Sequence, residues 1–239
     1  MTRRTELPVA ISMNVGKGGR NRPLFRALTK LFFCLIALAV AQAAGCGATR
    51  PSKYYQLTVP STLTPPPNPN AVPITLLIGR LTAPELYREE QIVYSTGGES
   101  MGLYEFHRWV EPPVDMIQEI LLRQLRGSGH FRGVYMLRSD IHGDYLLHGR
   151  LYDFKEVDGS ALVARVTMEL ELRDIKSHTV VWTHFYTHDE PVADKTVDAV
   201  VAALDKNVQQ GVAEMMASLD EYFAAHPPAP VAAQPGSQP

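Results

Sequence analysis

Two groups of residues in this 239-residue chain, each with two histidines, have the side chains that are best suited to binding a metal. His142, Asp144 and His148 are close in sequence, and on a β-strand Asp144 and His148 would share one face. Histidine and aspartate bind zinc, but no H-E-x-x-H helix accompanies them, and Cys46 is the only cysteine beyond the N-terminal apolar run. We interpret the three residues as solvated side chains of a turn and a strand, and we predict no metal and no cofactor.

His184 and His188 form the second group, in which they alternate with Trp182 and Tyr186. Side chains two positions apart on a strand lie on the same face. The alternation therefore predicts a strand face that is turned toward solvent or toward a partner, without a metal.

Sequence motifs for nucleophilic catalysis and for phosphate binding do not occur in the setting they require. Residues 98–102 (GESMG) have the spacing G-x-S-x-G, but they lie between the short strand patterns 92–95 and 103–106 and not between a strand and a helix, as a nucleophile elbow does. The segment 127–129 (GSG) follows a helical pattern, which favours a helix stop. The glycines at 97–98 and 16–19 do not join a strand to a helix, as a phosphate-binding loop requires. We predict that the protein is not an enzyme.

Apolar residues near the first short strands are the remaining candidates for a site. Leu86 and Tyr87 follow Pro84, and Trp109 lies just before a helical pattern. Such residues are commonly part of a core, but a concentration before a helix also suits a docking surface or a lipid-contact rim. We predict a partner or lipid contact at Pro84, Leu86, Tyr87 and Trp109.

The N-terminal region has the basic, apolar and small-residue parts of a secretory signal. Leu31 to Ala41 is an apolar run of eleven residues, which is shorter than the roughly 20 that cross a bilayer. Basic residues precede it and small residues follow it. We predict a signal peptide over residues 1–45, with either Met1 or Met13 as its start.

Two cleavage sites compete after the apolar run. Residues 43–46 (AAGC) resemble a bacterial lipobox, in which the cysteine is acylated and becomes the N-terminus, although Ala43 stands where leucine is usual. The alternative is an A-x-A site at residues 41–43, which would release a soluble protein. Cysteine usage favours the lipobox, because Cys34 is lost with the signal and Cys46 would have no disulfide partner. We predict a palmitate-bearing lipid anchor on Cys46 and a tether over residues 46–53.

Charge is distributed unevenly along the chain. Removal of residues 1–45 takes away seven of the 23 basic residues and one of the 25 acidic residues, so the mature chain would carry about −8. Such a charge argues against nucleic acid as a partner.

The hydrophobic periodicity changes along the mature chain from strands to helices. Short strand patterns cover 54–59, 74–81, 92–95 and 103–106, and Val114 to Arg126 has helical spacing between Pro113 and Gly127. Strands over 144–154, 162–173 and 179–187 form a meander, and 195–223 is a long amphipathic helix with a kink predicted at Gly211.

These elements predict an α+β fold. It is a two-layer sandwich, with a mixed, mainly antiparallel sheet and two amphipathic helices packed on one face. We expect one domain over residues 54–225 and a disordered proline-rich tail over 226–239.

The order of motifs in this core resembles that of the ABC-type transport auxiliary lipoproteins, the PqiC-like family. The resemblance covers residues 53–223 and rests on Tyr54-Tyr55-x-Leu57, Ile74 to Leu81, Pro84-x-Leu86-Tyr87-x-x-x-Gln91-Ile92-Val93, His107-Arg108-Trp109 and Asp144 to Phe154. Its motifs are packing and surface motifs, not catalytic ones.

The resemblance implies a lipid-anchored auxiliary component of an envelope transport system. Such a system contains an ABC ATPase, a permease and a mammalian-cell-entry-type substrate-binding protein, and moves phospholipid or other hydrophobic molecules between the inner and outer membranes. The resemblance further implies an outer-membrane location on the periplasmic face and a homo-oligomer. The alternative is a structural outer-membrane assembly lipoprotein that is not tied to a transporter.

Overall fold

The described part of the chain covers residues 30–32, 50–61, 68–96, 98–138 and 140–228 of a computed structural model. The predicted signal peptide apart from 30–32, Cys46, and the tail after residue 228 lie outside the described residues. Residues 1–50 and 51–239 are separate units, and the architecture below belongs to the second. Among the described residues, no helix combines the length and apolar character needed to cross a bilayer.

Eight strands of the described residues form one mixed sheet. They are β1 (Lys53–Tyr55), β2 (Val72–Thr82), β3 (Gln91–Ser95), β4 (Met101–Trp109), β5 (Phe131–Met136), β6 (Tyr145–Asp158), β7 (Leu162–Asp174) and β8 (Val180–Pro191). β6, β7 and β8 form the long antiparallel meander that the sequence predicts. β1 with β4, and β2 with β5 and β6, pair in parallel.

β6 is the strand from which the rest of the sheet branches. One edge of β6 pairs with β7 from Tyr145 to Asp158. The other edge pairs with β2 over residues 145–150 and with β3 at residues 156–157. Two branches, β2–β5 and β3–β4–β1, therefore leave the same edge of one long strand.

Helices α1 (Pro113–Ser128) and α2 (Val197–Ala225) cover the same face of the sheet. Ile117 of α1 and Val212 of α2 both border one small apolar cavity together with Leu151 of β6 and Met168 of β7. We call this side of the sheet the helix-covered face and the opposite side the open face. The predicted α+β sandwich, with both amphipathic helices on one face, is confirmed.

The core lies between the helices and the helix-covered face. On β7 the alternate residues Ala164, Val166, Met168, Leu170 and Leu172 are buried, as their period of two predicts. Full burial of an aliphatic side chain contributes about 1.5–3 kcal/mol, so this row is a main source of stability.

The first strand is shorter than the pattern over 54–59 predicts. β1 ends at Tyr55, and the chain then leaves the sheet to contact α2. The backbone N–H and the hydroxyl of Thr58 donate to the Asp205 carboxylate at 2.8 and 2.6 Å, and the Gln209 side chain donates to the Thr58 carbonyl at 2.7 Å. These hydrogen bonds to side chains of α2 take the place of the backbone hydrogen bonds to a neighbouring strand that the sequence of 54–59 predicts.

Three other elements differ from the sequence-based expectation. β5 was not predicted, because it is short and begins two residues after the stop of α1. α1 continues past Gly127 to Ser128, and Gly129, with a left-handed φ of 65°, caps its C-terminus. α2 is unbroken through Gly211, where a kink was predicted, and this glycine instead permits close contact between the helix and the sheet.

Candidate functional site

The four predicted contact residues occupy different environments. Pro84 and Leu86 are half-buried, at the start of a short 3₁₀ helix (Glu85–Tyr87) that follows β2. Tyr87 and Trp109 are only 2% and 1% exposed. The ring of Trp109 packs at 5.3 Å from Phe154, inside the core. A contact at these four positions stays a prediction, and only Pro84 and Leu86 have substantial exposed surface for it.

Tyr87 connects the 3₁₀ helix to the open face of the sheet. Its hydroxyl donates to Asp153 of β6 at 3.4 Å and lies 3.9 Å from the sulfur of Met101 in β4. Burial raises the pKa of Tyr87, and the nearby Asp153 carboxylate adds to this rise. The phenol therefore stays protonated and acts as a donor that holds the 3₁₀ helix against the sheet.

Large apolar side chains lie exposed on the open face around this helix. Phe185 of β8 is 56% exposed and lies 6.1 Å from the ring of Tyr152 in β6. Met101 is 51% exposed, and Leu103 two residues later in β4 is also exposed. We call Met101, Leu103, Tyr152 and Phe185, together with the half-buried Leu86, the open-face patch. Exposed aromatic and aliphatic side chains of this kind are typical of binding surfaces.

Charged residues of both signs lie beside the open-face patch, and several of them are paired. Arg165 of β7 and Asp189 of β8 form a two-bond ion pair at 2.7 Å each, and Lys155 pairs with Asp153 at 2.5 Å. The Tyr152 hydroxyl donates to Glu169 at 2.7 Å. The patch therefore offers an apolar contact area beside polar groups, some of which are paired.

His142, Asp144 and His148 do not converge on one point. His142 is exposed, whereas Asp144 accepts hydrogen bonds from the Thr75 N–H at 2.7 Å and from Arg132 at 3.3 Å. His148 faces Glu171 of β7 at 3.6 Å. Within the described ranges, no group of three or more histidine, cysteine, aspartate or glutamate side chains is arranged to hold a metal ion.

The prediction of an exposed face at His184 and His188 is wrong. Both residues lie on the helix-covered face with Trp182 and Tyr186, and α2 packs against that row. Trp182 donates to Ser218 of α2 at 3.2 Å, and Nε2 of His184 lies 3.4 Å from Glu214 without hydrogen-bond geometry. A period of two identifies the two faces of a strand but does not tell which one a helix covers.

Three buried polar residues were missed because nothing in their sequence neighbourhood marks them. Asn207 of α2 is fully buried and donates to the carbonyls of Ala164 and His188 at 2.9 Å. Glu190 of β8 is buried and pairs with Lys206 at 2.5 Å. Glu156 of β6 is buried against Tyr104. The partners of each residue lie on other strands or helices, so only the structure reveals them.

This chain has relatives both in sequence and in structure. The model of the family described as ABC-type transport auxiliary lipoprotein component matches residues 55–216. No match is found among curated proteins.

Solved structures share the fold at low sequence identity. Protein XCC0632 from Xanthomonas campestris, of the DUF330 family, aligns with a TM-score of 0.63 at 22% identity, over 73% of this chain and 98% of that chain. The crystal structure of an uncharacterized protein aligns with a TM-score of 0.56 at 15% identity, over 71% of this chain and 99% of that chain. A PelC dodecamer from Paraburkholderia phytofirmans gives a TM-score of 0.39 at 14% identity, over 62% of this chain and 90% of that chain.

The family match covers well over half of the 239 residues and includes β2 to β8, both the open-face patch and the buried polar residues. The chain belongs to the family of ABC-type transport auxiliary lipoprotein components.

Proposed function

We propose that this protein is the outer-membrane lipoprotein of an ABC-driven envelope transport system. In this proposal the system moves phospholipid or other hydrophobic molecules between the inner and outer membranes, and the lipoprotein binds a mammalian-cell-entry-type substrate-binding protein. Membership in the family associates the chain with an ABC transport system and with a membrane-anchored position in the cell envelope. The family match over residues 55–216 is the observation that carries the proposal.

The sequence around Cys46 supports the anchor and its location. Gly47 follows the cysteine where an aspartate would favour retention in the inner membrane. Seven peptide units separate Cys46 from the start of β1 at Lys53, which allows a reach of about 25 Å. The acyl chains of a lipidated Cys46 would therefore keep the folded domain next to the bilayer, on the periplasmic face.

The open-face patch is the surface that we assign to the protein partner. It is apolar, has paired charges beside it, and includes Leu86, where the sequence predicts a contact. This surface suits binding without catalysis, because its aromatic and aliphatic residues supply contact area and no reactive group. The protein would act as a non-enzymatic docking component, as a homo-oligomer.

Membrane fractionation and co-purification in the native host test this proposal. We expect the protein in the outer-membrane fraction, together with the substrate-binding protein of an ABC system. Recovery with an outer-membrane barrel or an envelope polymer, and without transporter subunits, would favour the structural assembly lipoprotein instead.

Two matched substitutions test the surface. Phe185 and Thr183 are both exposed on β8, and each lies opposite a glutamate of β7. Phe185→Lys should lower recovery of the partner at least tenfold, whereas Thr183→Lys should leave it unchanged. Equal recovery with both variants, at unchanged folding, would exclude the open-face patch as the docking surface.

A further inference from the structure

The carboxylate of Glu156 lies on the helix-covered face without a cationic partner. Glu156 is only 7% exposed, and the hydroxyl of Tyr104 donates to its Oε2 at 2.7 Å. Among the residues that the structure describes, no lysine, arginine or histidine nitrogen forms an ion pair with it. The buried Glu190, two strands away on the same face, has Lys206 at 2.5 Å. Burial of a carboxylate costs free energy unless a cation pairs with it. Glu156 differs from Glu190 in that it has no such pair among the described residues.

Aromatic rings surround this carboxylate on the side of β3 and β4. Tyr94 is the register partner of Glu156, and its ring lies across Gly102, where any larger residue would collide with it. The rings of Tyr94 and Tyr104 are 5.0 Å apart. His107 follows at 5.7 Å from Tyr104. All three residues are half-buried, and Nδ1 of His107 also lies 2.9 Å from the Tyr55 hydroxyl.

The Tyr104 hydroxyl satisfies only one of the two carboxylate oxygens. Burial raises the pKa of Tyr104, and the hydrogen bond to Glu156 raises it further. Tyr104 is therefore a neutral donor and supplies no positive charge beside the Glu156 carboxylate. A carboxylate beside several aromatic faces attracts an ammonium group, through charge and through the cation–π interaction. The next ring in this row, Tyr55, already has the Lys53 ammonium 5.2 Å from its centre.

We propose that Glu156, Tyr104, Tyr94 and His107 form a binding site for the ammonium head group of a zwitterionic phospholipid. The choice of a lipid rests on the proposed function. Lys53, the first residue of β1, is the register partner of His107, so the site adjoins the strand that follows the predicted tether in sequence. Glu156 would pair with the ammonium group, and the aromatic rings would contact its methyl or methylene groups.

Direct titration of the purified full-length protein in detergent tests this site. The probes are choline, ethanolamine and glycerophosphoethanolamine, with glycerol phosphate as the probe that lacks an ammonium group. Tyrosine and tryptophan fluorescence or calorimetry would report binding. We expect the three ammonium probes to bind and glycerol phosphate not to bind. Failure of every ammonium probe to bind would overturn the proposal.

Glu169 provides a matched control, because it accepts a 2.7 Å hydrogen bond from Tyr152 on the open face just as Glu156 does from Tyr104. Glu156→Gln should weaken binding at least tenfold, whereas Glu169→Gln should not change it. Tyr94→Ala, which removes a ring and keeps the carboxylate, should also weaken binding. Urea unfolding would first establish that each variant is folded. Equal binding by the wild type and the folded Glu156→Gln variant would contradict the site.

The source of the ammonium group is tested by one further probe, acetyl-lysine amide. Tighter binding of this probe than of glycerophosphoethanolamine would overturn the lipid assignment and indicate a lysine side chain of a protein partner. These titrations use neither transporter subunits nor membranes. They therefore separate failure of the site from failure of the proposed transport function.

Discussion

The hydroxyl of Tyr186 in β8 donates a 2.7 Å hydrogen bond to Oδ1 of Asn207 in α2, and both side chains are buried. The amide nitrogen of the same asparagine donates to the carbonyls of Ala164 in β7 and His188 in β8, at 2.9 Å each. One side chain thus connects α2 to two adjacent strands. Both amide hydrogens and the amide oxygen of this side chain are bonded inside the core, which fixes the position of the helix on the sheet.

Asn207→Ala should lower the free energy of unfolding by about 2–4 kcal/mol, because two buried carbonyls lose their side-chain donor and a cavity forms. The Tyr186 hydroxyl would keep only its 3.2 Å bond to the backbone carbonyl of residue 207. Urea unfolding followed by circular dichroism measures the change. Gln210→Ala, at an exposed position of the same helix, is the control and should change stability by less than about 0.5 kcal/mol. A loss of less than about 1 kcal/mol in the free energy of unfolding of Asn207→Ala would show that the hydrogen bonds of Asn207 contribute little to stability.

Stability should fall at alkaline pH as Tyr186 ionises. Burial, together with the nearby Glu214 and Glu190 carboxylates, raises the pKa of Tyr186 to about 12, above the value of about 10 in an unfolded chain. The folded state therefore holds this proton more tightly, so its stabilising contribution is complete below pH 10 and disappears between about pH 10 and 12. Urea unfolding of wild type and Tyr186→Phe across this range should show a steeper fall for wild type. Parallel pH profiles would contradict the assignment, since other tyrosines contribute equally to both proteins.

Gly211 should not tolerate a larger residue. A Cβ atom at this position would lie 2.6 Å from the Met168 side chain and 2.7 Å from the Tyr186 ring, which its bond to Asn207 holds in place. Alanine in a helix gains up to about 1 kcal/mol over glycine, but overpacking costs about 1–3 kcal/mol. We expect Gly211→Ala to lower the melting temperature and Gly211→Val to lower it further. A higher melting temperature for Gly211→Ala would mean that helix and sheet are less closely packed than described.

The ion pair between Arg165 and Asp189 should contribute little to stability. Hydrogen bonds from Arg165 lower the pKa of Asp189, so the contribution is present above pH 4 and is lost as the pH falls through the lower folded-state pKa. Both side chains are exposed, and pairs of this kind contribute less than about 1 kcal/mol. Asp189→Asn should lower stability by no more than that at pH 7, and by less in high salt. A loss above 2 kcal/mol that salt does not reduce would refute this estimate.

The architecture was predictable where the hydrophobic periodicity is strong. The row from Ala164 to Leu172 and the stripe of α2 each bury one face, so the meander, the long helix and the α+β class follow from the sequence. β1 was overpredicted because Thr58 bonds to a side chain of α2, a contact nearly 150 residues away in sequence that no local pattern contains. β5 was missed because a six-residue strand directly after a helix stop offers too short a pattern.

The candidate sites were less predictable than the fold. Leu86 was identified from the sequence, but Phe185 and Tyr152 become neighbours only because β7 holds β6 and β8 in register. Glu156 is a single acid within a strand, and its role depends on Tyr94 and Tyr104 from another branch of the sheet. Both candidate sites depend on which strands are adjacent in the sheet. The local sequence pattern does not predict which strands of different branches are adjacent.

Palmitate incorporation combined with intact mass is the most direct test of the lipid anchor, on which the account depends. The protein would be expressed in its host as wild type, as Cys46→Ala and as Cys34→Ala, the last being a control within the apolar run. We predict labelled wild type and labelled Cys34→Ala, and loss of label in Cys46→Ala. An unlabelled wild-type protein that begins at Ala44 would contradict the account, because the protein would then be a soluble periplasmic factor.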